Sequence, residues 1–168
     1  MTNSNRDILL TRLNDLLAKP VYTSLEVYTK GNKIYLLKDF NNNLEKIILP
    51  IRGYGLWGTL YGYIAIDKDL NTIRGLEFYE HKETPGLGAE VDNPKWKALW
   101  DGKKIYKDGV IEIAVIKGKV DKSNKMADYQ VDGLSGATLT SRGVTNMLAF
   151  WFSESGYQET LSKINYDS

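Results

Sequence analysis

A run of small and hydroxyl side chains directly before a strong helical pattern constrains this chain more than any other feature. Residues 132–141 read Asp-Gly-Leu-Ser-Gly-Ala-Thr-Leu-Thr-Ser. Apolar residues then recur at steps of three and four, which predicts one buried face of a helix: Val144, Met147, Leu148, Trp151 and Phe152. Ser155-Gly156 predicts the helix end. Because free N–H groups and the helix dipole converge at a helix N-terminus, this turn is suited to holding a phosphate.

The rest of the chain alternates between strand patterns and short helical ones. Strands are predicted over 33–38, 46–51, 59–67, 72–81 and 111–117. Pro50 restricts the second of these to a strand end or an edge. Turns are predicted at 41–43 and 69–71, with a glycine-rich loop over 82–91 and a polar loop over 119–130.

Two further helices are predicted outside the motif region. Apolar residues at helical spacing predict an amphipathic helix over 6–18. Asn93-Pro94 predicts the start of a second helix, because asparagine caps well and proline suits the first position, and Asp101-Gly102 predicts its end. The pattern as a whole predicts an α+β fold, with an antiparallel-leaning sheet and helices packed around it. A chain of 168 residues is most simply one domain.

Composition excludes several classes of chemistry. The chain has no cysteine and a single histidine, His81, which excludes disulfides, Fe–S clusters, thiolate zinc sites and His-rich metal sites. Redox chemistry would therefore need an organic cofactor. A net charge of +1 lacks the strong basic excess that is typical of nucleic-acid-binding proteins. No stretch of about 20 apolar residues is present, so no membrane span is predicted.

The 132–141 segment resembles the flavinylation motif of the FMN-binding domain family, Asp-x-x-Ser/Thr-Gly-Ala-Thr. Other segments are similar, in the same order, to the C subunit of the Na⁺-translocating NADH:quinone reductases. They are Gly55-Leu56-Trp57-Gly58, Gly75-Leu76, residues 80–88, the Trp96–Trp100 region and Ile116-Lys117-Gly118. The resemblance implies an FMN-binding domain over 45–168, preceded by an N-terminal helix and strand region over 1–44, in one compact domain overall.

The resemblance implies a covalent cofactor. In this family FMN is joined by a phosphoester to the last threonine of the motif, which is Thr138 here. A separate flavin transferase that uses FAD and a divalent metal makes the bond, so no general base, catalytic residue or metal ligand is expected in this chain. The neighbouring residues expected to contact the cofactor are Ser135, Gly136, Ala137, Leu139 and Thr140.

A second loop is also expected beside the flavin. The resemblance implies that Thr84, Leu87 and Gly88 touch the cofactor and that Glu83 orients their loop. Trp57 is expected either in the core or near the flavin ring, since large aromatic side chains bury much area.

The family implies an electron carrier in a membrane complex. This complex passes electrons from NADH to quinone and couples the transfer to Na⁺ transport. The expected partners are its other subunits and, during maturation, the flavin transferase. The family implies an inner-membrane location with this domain facing the periplasm. Family members carry an N-terminal membrane helix that this sequence lacks, so the sequence is expected to represent the soluble part.

Three alternatives remain open at this point. The chain also resembles the G subunit of Rnf-type electron-transport complexes, which shares the threonine. Two other classes stay open: a reductase domain that holds FMN without a bond, and a protein-binding domain whose turn only caps a helix. Thr140 and Ser141 are the better capping residues in that last case, since they lie nearer the apolar periodicity.

Two motif matches and one carboxylate have simpler interpretations. Residues 53–58 spell Gly-x-Gly-x-x-Gly, but a strand pattern follows them, whereas a dinucleotide fingerprint opens a helix. Residues 133–137 weakly resemble a hydrolase nucleophile turn, but only His81 could serve as the base. Asp132 is expected to hold the turn through backbone hydrogen bonds or to be recognised by the transferase, because a phosphate would repel its carboxylate.

Overall fold

Five consecutive antiparallel strands form the main sheet in this computed structural model, which describes residues 23–29 and 32–167. The strands lie in chain order: β1 (Thr23–Thr29), β2 (Asn32–Lys38), β3 (Leu44–Tyr54), β4 (Thr59–Asp67) and β5 (Ile73–Glu80). The strands predicted over 33–38, 59–67 and 72–81 are confirmed to within one residue at each end. The turn predicted at 69–71 joins β4 to β5, where the Asp69 carboxylate accepts hydrogen bonds from the N–H groups of Asn71 and Thr72.

β3 is longer than the sequence predicts and continues through Pro50. Of the two expectations for Pro50, the strand end is wrong and the edge position is confirmed. The reason lies in the pairing, because β2 stops pairing with β3 at Ile48 while Pro50 pairs with Tyr63 of β4. Proline has no N–H to donate, so it is tolerated where one side of the strand is free.

The strand predicted over 111–117 is not continuous. The chain forms two small sheets there, in which β6 (Tyr106–Lys107) pairs with β7 (Val110–Ile111), and β8 (Ala114–Val115) pairs in parallel with β9 (Gln130–Val131). Between β7 and β8, the N–H groups of Glu112 and Ile113 both bond to the carbonyl of Ile105. The predicted loop over 119–130 is irregular apart from a 3-10 helix at Ala127–Tyr129 and the start of β9.

Three α-helices complete the described part. The helix predicted from Asn93-Pro94 is confirmed as α1 (Pro94–Ala98), and Asn93 caps it by accepting the Lys95 N–H at 2.9 Å. The predicted motif helix is α2 (Thr138–Trp151). A further helix, α3 (Gln158–Asp167), was not predicted. The helix predicted over 6–18 lies outside the described residues, and no helix within 32–167 is long and apolar enough to cross a membrane.

α2 packs against one face of the sheet, and β3 fixes its position. Its residues Val144, Met147, Leu148 and Trp151 join the main hydrophobic core. The Trp151 indole stacks on Tyr157 and donates to the carbonyl of Arg52 at 2.8 Å. Nearer its start, Gly143 lies against the carbonyl of Tyr54, the last residue of β3. This packing places the first turn of α2 beside the turn that connects β3 to β4.

Candidate functional site

α2 begins inside the predicted motif, earlier than its capping residues were expected to lie. Its first residue is Thr138, and Ala137 occupies the position before it without any side-chain cap. The prediction that Thr140 or Ser141 caps the helix is therefore wrong. The chain turns sharply just before the helix at Gly136, whose φ of 68° lies in the left-handed region that glycine adopts most easily.

The hydroxyls of Thr140 and Ser141 are buried and hold neighbouring segments. Thr140 Oγ1 donates to Glu83 Oε1 at 2.6 Å. Ser141 Oγ accepts the N–H of Leu134 at 3.1 Å, which ties the start of the motif to the first turn of the helix. Thr140 is 1% exposed and stabilises the site through its bond to Glu83, whereas Ser141 also lines the groove described below.

The first turn of α2 offers free hydrogen-bond donors. Among the residues that the structure describes, the backbone N–H groups of Thr138, Leu139 and Thr140 have no acceptor. The next amide, that of Ser141, makes the first helical bond to Ala137 at 3.0 Å. Unpaired amides at the positive end of a 14-residue helix attract an anion.

The Thr138 side chain is exposed and lines a groove of about 920 Å³, which we call the Thr138 groove. Its hydroxyl has no hydrogen-bond partner among residues 32–164. Ser135 and Gly136, also exposed, line the same groove. Its apolar walls come from α1, β8 and the residues that follow them: Trp96, Leu99, Val115 and Ile116.

The Thr138 groove is electropositive. Four cationic side chains line it: Lys95, Lys117, Lys119 and Arg142. None of the four forms an ion pair with a residue in the described part of the chain. Their charges are therefore available to an anion at the start of α2.

Asp132 also lines this groove, but its carboxylate is engaged. Its Oδ1 accepts the N–H of Val120 at 2.8 Å, and its backbone carbonyl accepts the Trp96 indole N–H at 2.8 Å. Asp132 thus bonds to a backbone amide in a distant loop, so the expectation that it bonds the backbone of its own turn is wrong.

An exposed apolar surface is formed by segments that meet near the start of α2. Five large side chains form it: Tyr54, Leu56, Trp57, Leu87 and Leu139. Trp57 is 64% exposed, so of its two expected positions the core is wrong. The segments that carry these residues contact one another, because Gly143 abuts Tyr54 and a Cβ on Gly136 would lie 3.0 Å from Leu87 Cδ2. We call this region the apolar surface.

Glu83 is buried beneath the apolar surface and is 6% exposed. Its two carboxylate oxygens accept the N–H groups of Leu56 at 2.7 Å and Trp57 at 2.9 Å. Together with the bond from Thr140, these contacts join three separate segments of the chain. Burial raises the pKa of the Glu83 carboxyl, but the three donated hydrogen bonds outweigh burial, so its pKa lies below the usual value.

His81 supports the same loop. Its Nδ1 accepts the N–H of Glu83 at 3.1 Å, which leaves the proton on Nε2, and Nε2 lies 2.6 Å from Asp92 Oδ2. His81 thus acts as a loop residue, as expected. Within the described residues, no group of three or more histidine and acidic side chains could hold a metal ion.

We expect the Glu83 carboxylate to stabilise the fold above the pKa of an unfolded glutamate, which is about 4.3. A carboxyl whose pKa is lowered in the folded state loses its stabilising effect as the pH falls through that lowered value. The difference in free energy of unfolding between wild type and Glu83→Gln should therefore narrow below about pH 4. Urea titrations at several pH values measure this difference, and a constant difference down to pH of about 3 would contradict the lowered pKa.

The predicted site residues separate into two exposed sets and one buried set. Ser135, Gly136 and Thr138 line the Thr138 groove, whereas Trp57, Leu87 and Leu139 belong to the apolar surface. Thr84 is exposed on the loop that carries Leu87. The buried members are Glu83, Gly88, Ala137 and Thr140. The cations of the groove were missed, although Lys117 lies in a segment already noted for its family resemblance.

Comparison with known proteins places the chain in a family. The family model for the FMN-binding domain matches residues 55–153, and the chain belongs to this family. It is also homologous to the C subunit of the Na(+)-translocating NADH-quinone reductase. The Pseudomonas aeruginosa protein of that name is 54% identical over 132 residues, which are 78% of this chain and 50% of that protein. The Yersinia pestis protein is 46% identical over 133 residues, or 79% and 49% of the two chains.

Solved structures agree with this relationship and with the predicted fold class. NqrC of Shewanella oneidensis superposes with a TM-score of 0.74 at 38% identity, covering 82% of this chain and 62% of that one. The C subunit from Parabacteroides distasonis gives a TM-score of 0.66 at 39% identity, covering 78% and 63%. The antiparallel α+β fold is confirmed. The chain spans about half the length of the curated relatives described above.

Proposed function

We propose that this chain carries FMN as a phosphoester on Thr138 and serves as an electron carrier in a Na⁺-translocating NADH:quinone reductase. One observation carries the proposal. The Thr138 hydroxyl is exposed at the first residue of α2, beside free backbone amides and at the edge of an electropositive groove. Family membership and homology to the C subunit support the cofactor and the complex.

The residues at this position fit a phosphodiester. An ester to Thr138 retains one negative charge, whereas free FMN carries nearly two. The amides of Leu139 and Thr140 and the cations of the groove suffice to balance one charge. Gly136 lets the backbone approach closely, and the exposed Ser135 hydroxyl adds a further donor.

The bond is made by a second protein in this proposal. No base lies within hydrogen-bond distance of the Thr138 hydroxyl in the described part of the chain. A flavin transferase with a divalent metal would supply the activation. In that step the Thr138 oxygen would bond to the phosphorus on the FMN side of FAD, the pyrophosphate bond would break with its electron pair going to AMP, and the hydroxyl proton would pass to the transferase or to water.

The apolar surface fits the flavin ring. It adjoins the motif at the contact between Leu87 and Gly136, and Leu139 directly follows the attachment residue. When bound, the flavin supplies reversible electron transfer, which no side chain here provides. Trp57, Leu87 and Leu139 would hold one face of the ring, and a shallow surface leaves the other face open to a redox partner.

Substitutions of two leucines test whether the flavin ring lies on the apolar surface or in the Thr138 groove. Leu87 on the apolar surface is 43% exposed, and Leu99 in the groove is 37% exposed, so both tolerate a polar substitution. We expect Leu87→Asn to change the absorption and fluorescence of attached flavin, while Leu99→Asn leaves both unchanged. The opposite result would place the ring in the groove.

Intact-mass spectrometry tests the cofactor itself. Expressed with a flavin transferase, the chain should gain the mass of FMN less one water and keep its colour after denaturation in urea. Without the transferase it should gain no mass. Release of the flavin from the protein in urea would instead favour the non-covalent reductase domain. A colourless protein under both conditions would favour a protein-binding domain.

The remaining subunits of the complex are the proposed partners, with the flavin transferase acting only during maturation. The relatives compared above carry the name of the reductase's C subunit, which favours this complex over the Rnf type. We place the domain on the periplasmic side of an inner-membrane complex. Co-purification with the other reductase subunits, with the domain accessible from the periplasm, tests both statements.

A further inference from the structure

The Glu83 carboxylate is a buried charge that lacks a lysine or arginine partner among the described residues. Burying a charge in this way is costly unless hydrogen bonds replace the lost water. Here three donors do so, from the amides of Leu56 and Trp57 and the hydroxyl of Thr140.

The three donors come from the segments that meet at the apolar surface. Leu56 and Trp57 lie in the turn between β3 and β4, and Thr140 lies in the first turn of α2. The contact is tight, because a Cβ on Gly88 would lie 2.6 Å from Thr140 Oγ1 and 2.9 Å from Glu83 Cβ. Both oxygens of Glu83 accept hydrogen bonds from the protein, so the residue acts on a ligand through the position of these neighbours and through its charge.

We propose that Glu83 is a positioning residue for the flavin, which locks the Trp57 turn to the start of α2 and whose fixed negative charge lowers the flavin reduction potential. This inference rests on the proposed function, since it requires FMN on Thr138. Reduction adds negative charge to the flavin, and a nearby carboxylate of low accessibility opposes that addition. A neutral glutamine cannot accept all three bonds, because its amide nitrogen is a donor.

Glu83→Gln, loaded with FMN by the transferase, tests both parts of the inference. We expect a higher flavin reduction potential than in wild type and weaker quenching of Trp57 fluorescence by the flavin. The Trp57 signal is the difference between the fluorescence of each protein and that of the same protein carrying Trp57→Phe. The matched control is Glu80→Gln, which changes an exposed carboxylate three residues away. It should behave as wild type in both measurements. If Glu83→Gln matches Glu80→Gln in either one, the inference is overturned.

A second pair of variants decides the matter if Glu83→Gln does not fold. Thr140→Ser keeps the hydroxyl donor and should match wild type, whereas Thr140→Val removes it and should weaken the quenching of Trp57. Equal quenching in the two would overturn the positioning role. If the wild type carries no covalent flavin, the proposed function and this inference are both overturned. If the wild type carries flavin but has the same flavin potential and Trp57 quenching as the Glu83 and Thr140 variants, the inference alone is overturned.

Discussion

Thr138→Val should abolish covalent attachment of FMN completely while leaving the fold intact. Valine keeps the β-branched shape of threonine but has no oxygen to esterify. The Thr138 hydroxyl makes no hydrogen bond among the described residues and is exposed, so its loss should change the free energy of unfolding by less than about 0.5 kcal/mol. Intact mass after expression with the transferase measures attachment, and urea denaturation measures stability.

Thr138→Ser is the matched control, because it retains a hydroxyl at the same position and should accept flavin. Ser135→Ala provides a second control, since it removes an exposed hydroxyl three residues earlier and leaves the proposed attachment oxygen in place. If the purified Thr138→Val protein stayed yellow after denaturation, or if peptide mapping of the wild type located flavin on another residue, the assignment of Thr138 would be wrong.

Gly143→Val should cause a large loss of stability and disturb the apolar surface. A Cβ on residue 143 would overlap the carbonyl oxygen of Tyr54 and lie 3.1 Å from its carbonyl carbon. These are backbone atoms of β3, so the turn after β3 must move away from α2. Forcing extra carbons into such a contact costs about 1–3 kcal/mol. The same movement should break the bonds from Leu56 and Trp57 to Glu83.

Ala149→Val introduces valine at an exposed position of the same helix. Valine has a higher helix propensity than glycine, so propensity alone would slightly stabilise Gly143→Val and cannot account for a loss of stability. Ala149 is exposed on the same helix, so its substitution should cost only about 0.6 kcal/mol. Urea unfolding of the two variants supplies the comparison, and flavin loading of both tests the effect on the site. A Gly143→Val protein as stable as Ala149→Val would show that α2 and β3 adjust without strain.

Local patterns predicted most elements near the site because each depends on neighbouring residues. The β4 strand was predicted at its observed bounds, and Asn93-Pro94 marked the start of α1. The extent of β3 could not be predicted, because Pro50 is tolerated only where β2 has stopped pairing. The α3 helix was missed because its sequence is largely polar, and within 158–164 the residues that pack against the core are Leu161 and Ile164.

Motif reading identified the residues of the proposed site but not their arrangement. The run from Asp132 to Ser141 indicated a phosphate turn, yet the start of the helix was expected later than Thr138. For Trp57 the general tendency of aromatic side chains favoured the core over a position near the flavin, and its actual burial depends on contacts between distant segments. Glu83 and Thr140 lie 57 positions apart, and their hydrogen bond has no signature in the sequence.

The amino-acid sequence alone determined the phosphate-suited turn, the helix after it and most of the antiparallel strands, because turn chemistry and side-chain periodicity act over a few residues. Only the tertiary structure decided that Thr138 faces solvent beside an electropositive groove, that Trp57 is exposed and that Glu83 joins three segments as a buried anion. These properties arise where segments far apart in the chain pack against one another. Burial and hydrogen bonding there depend on partners that local sequence does not specify.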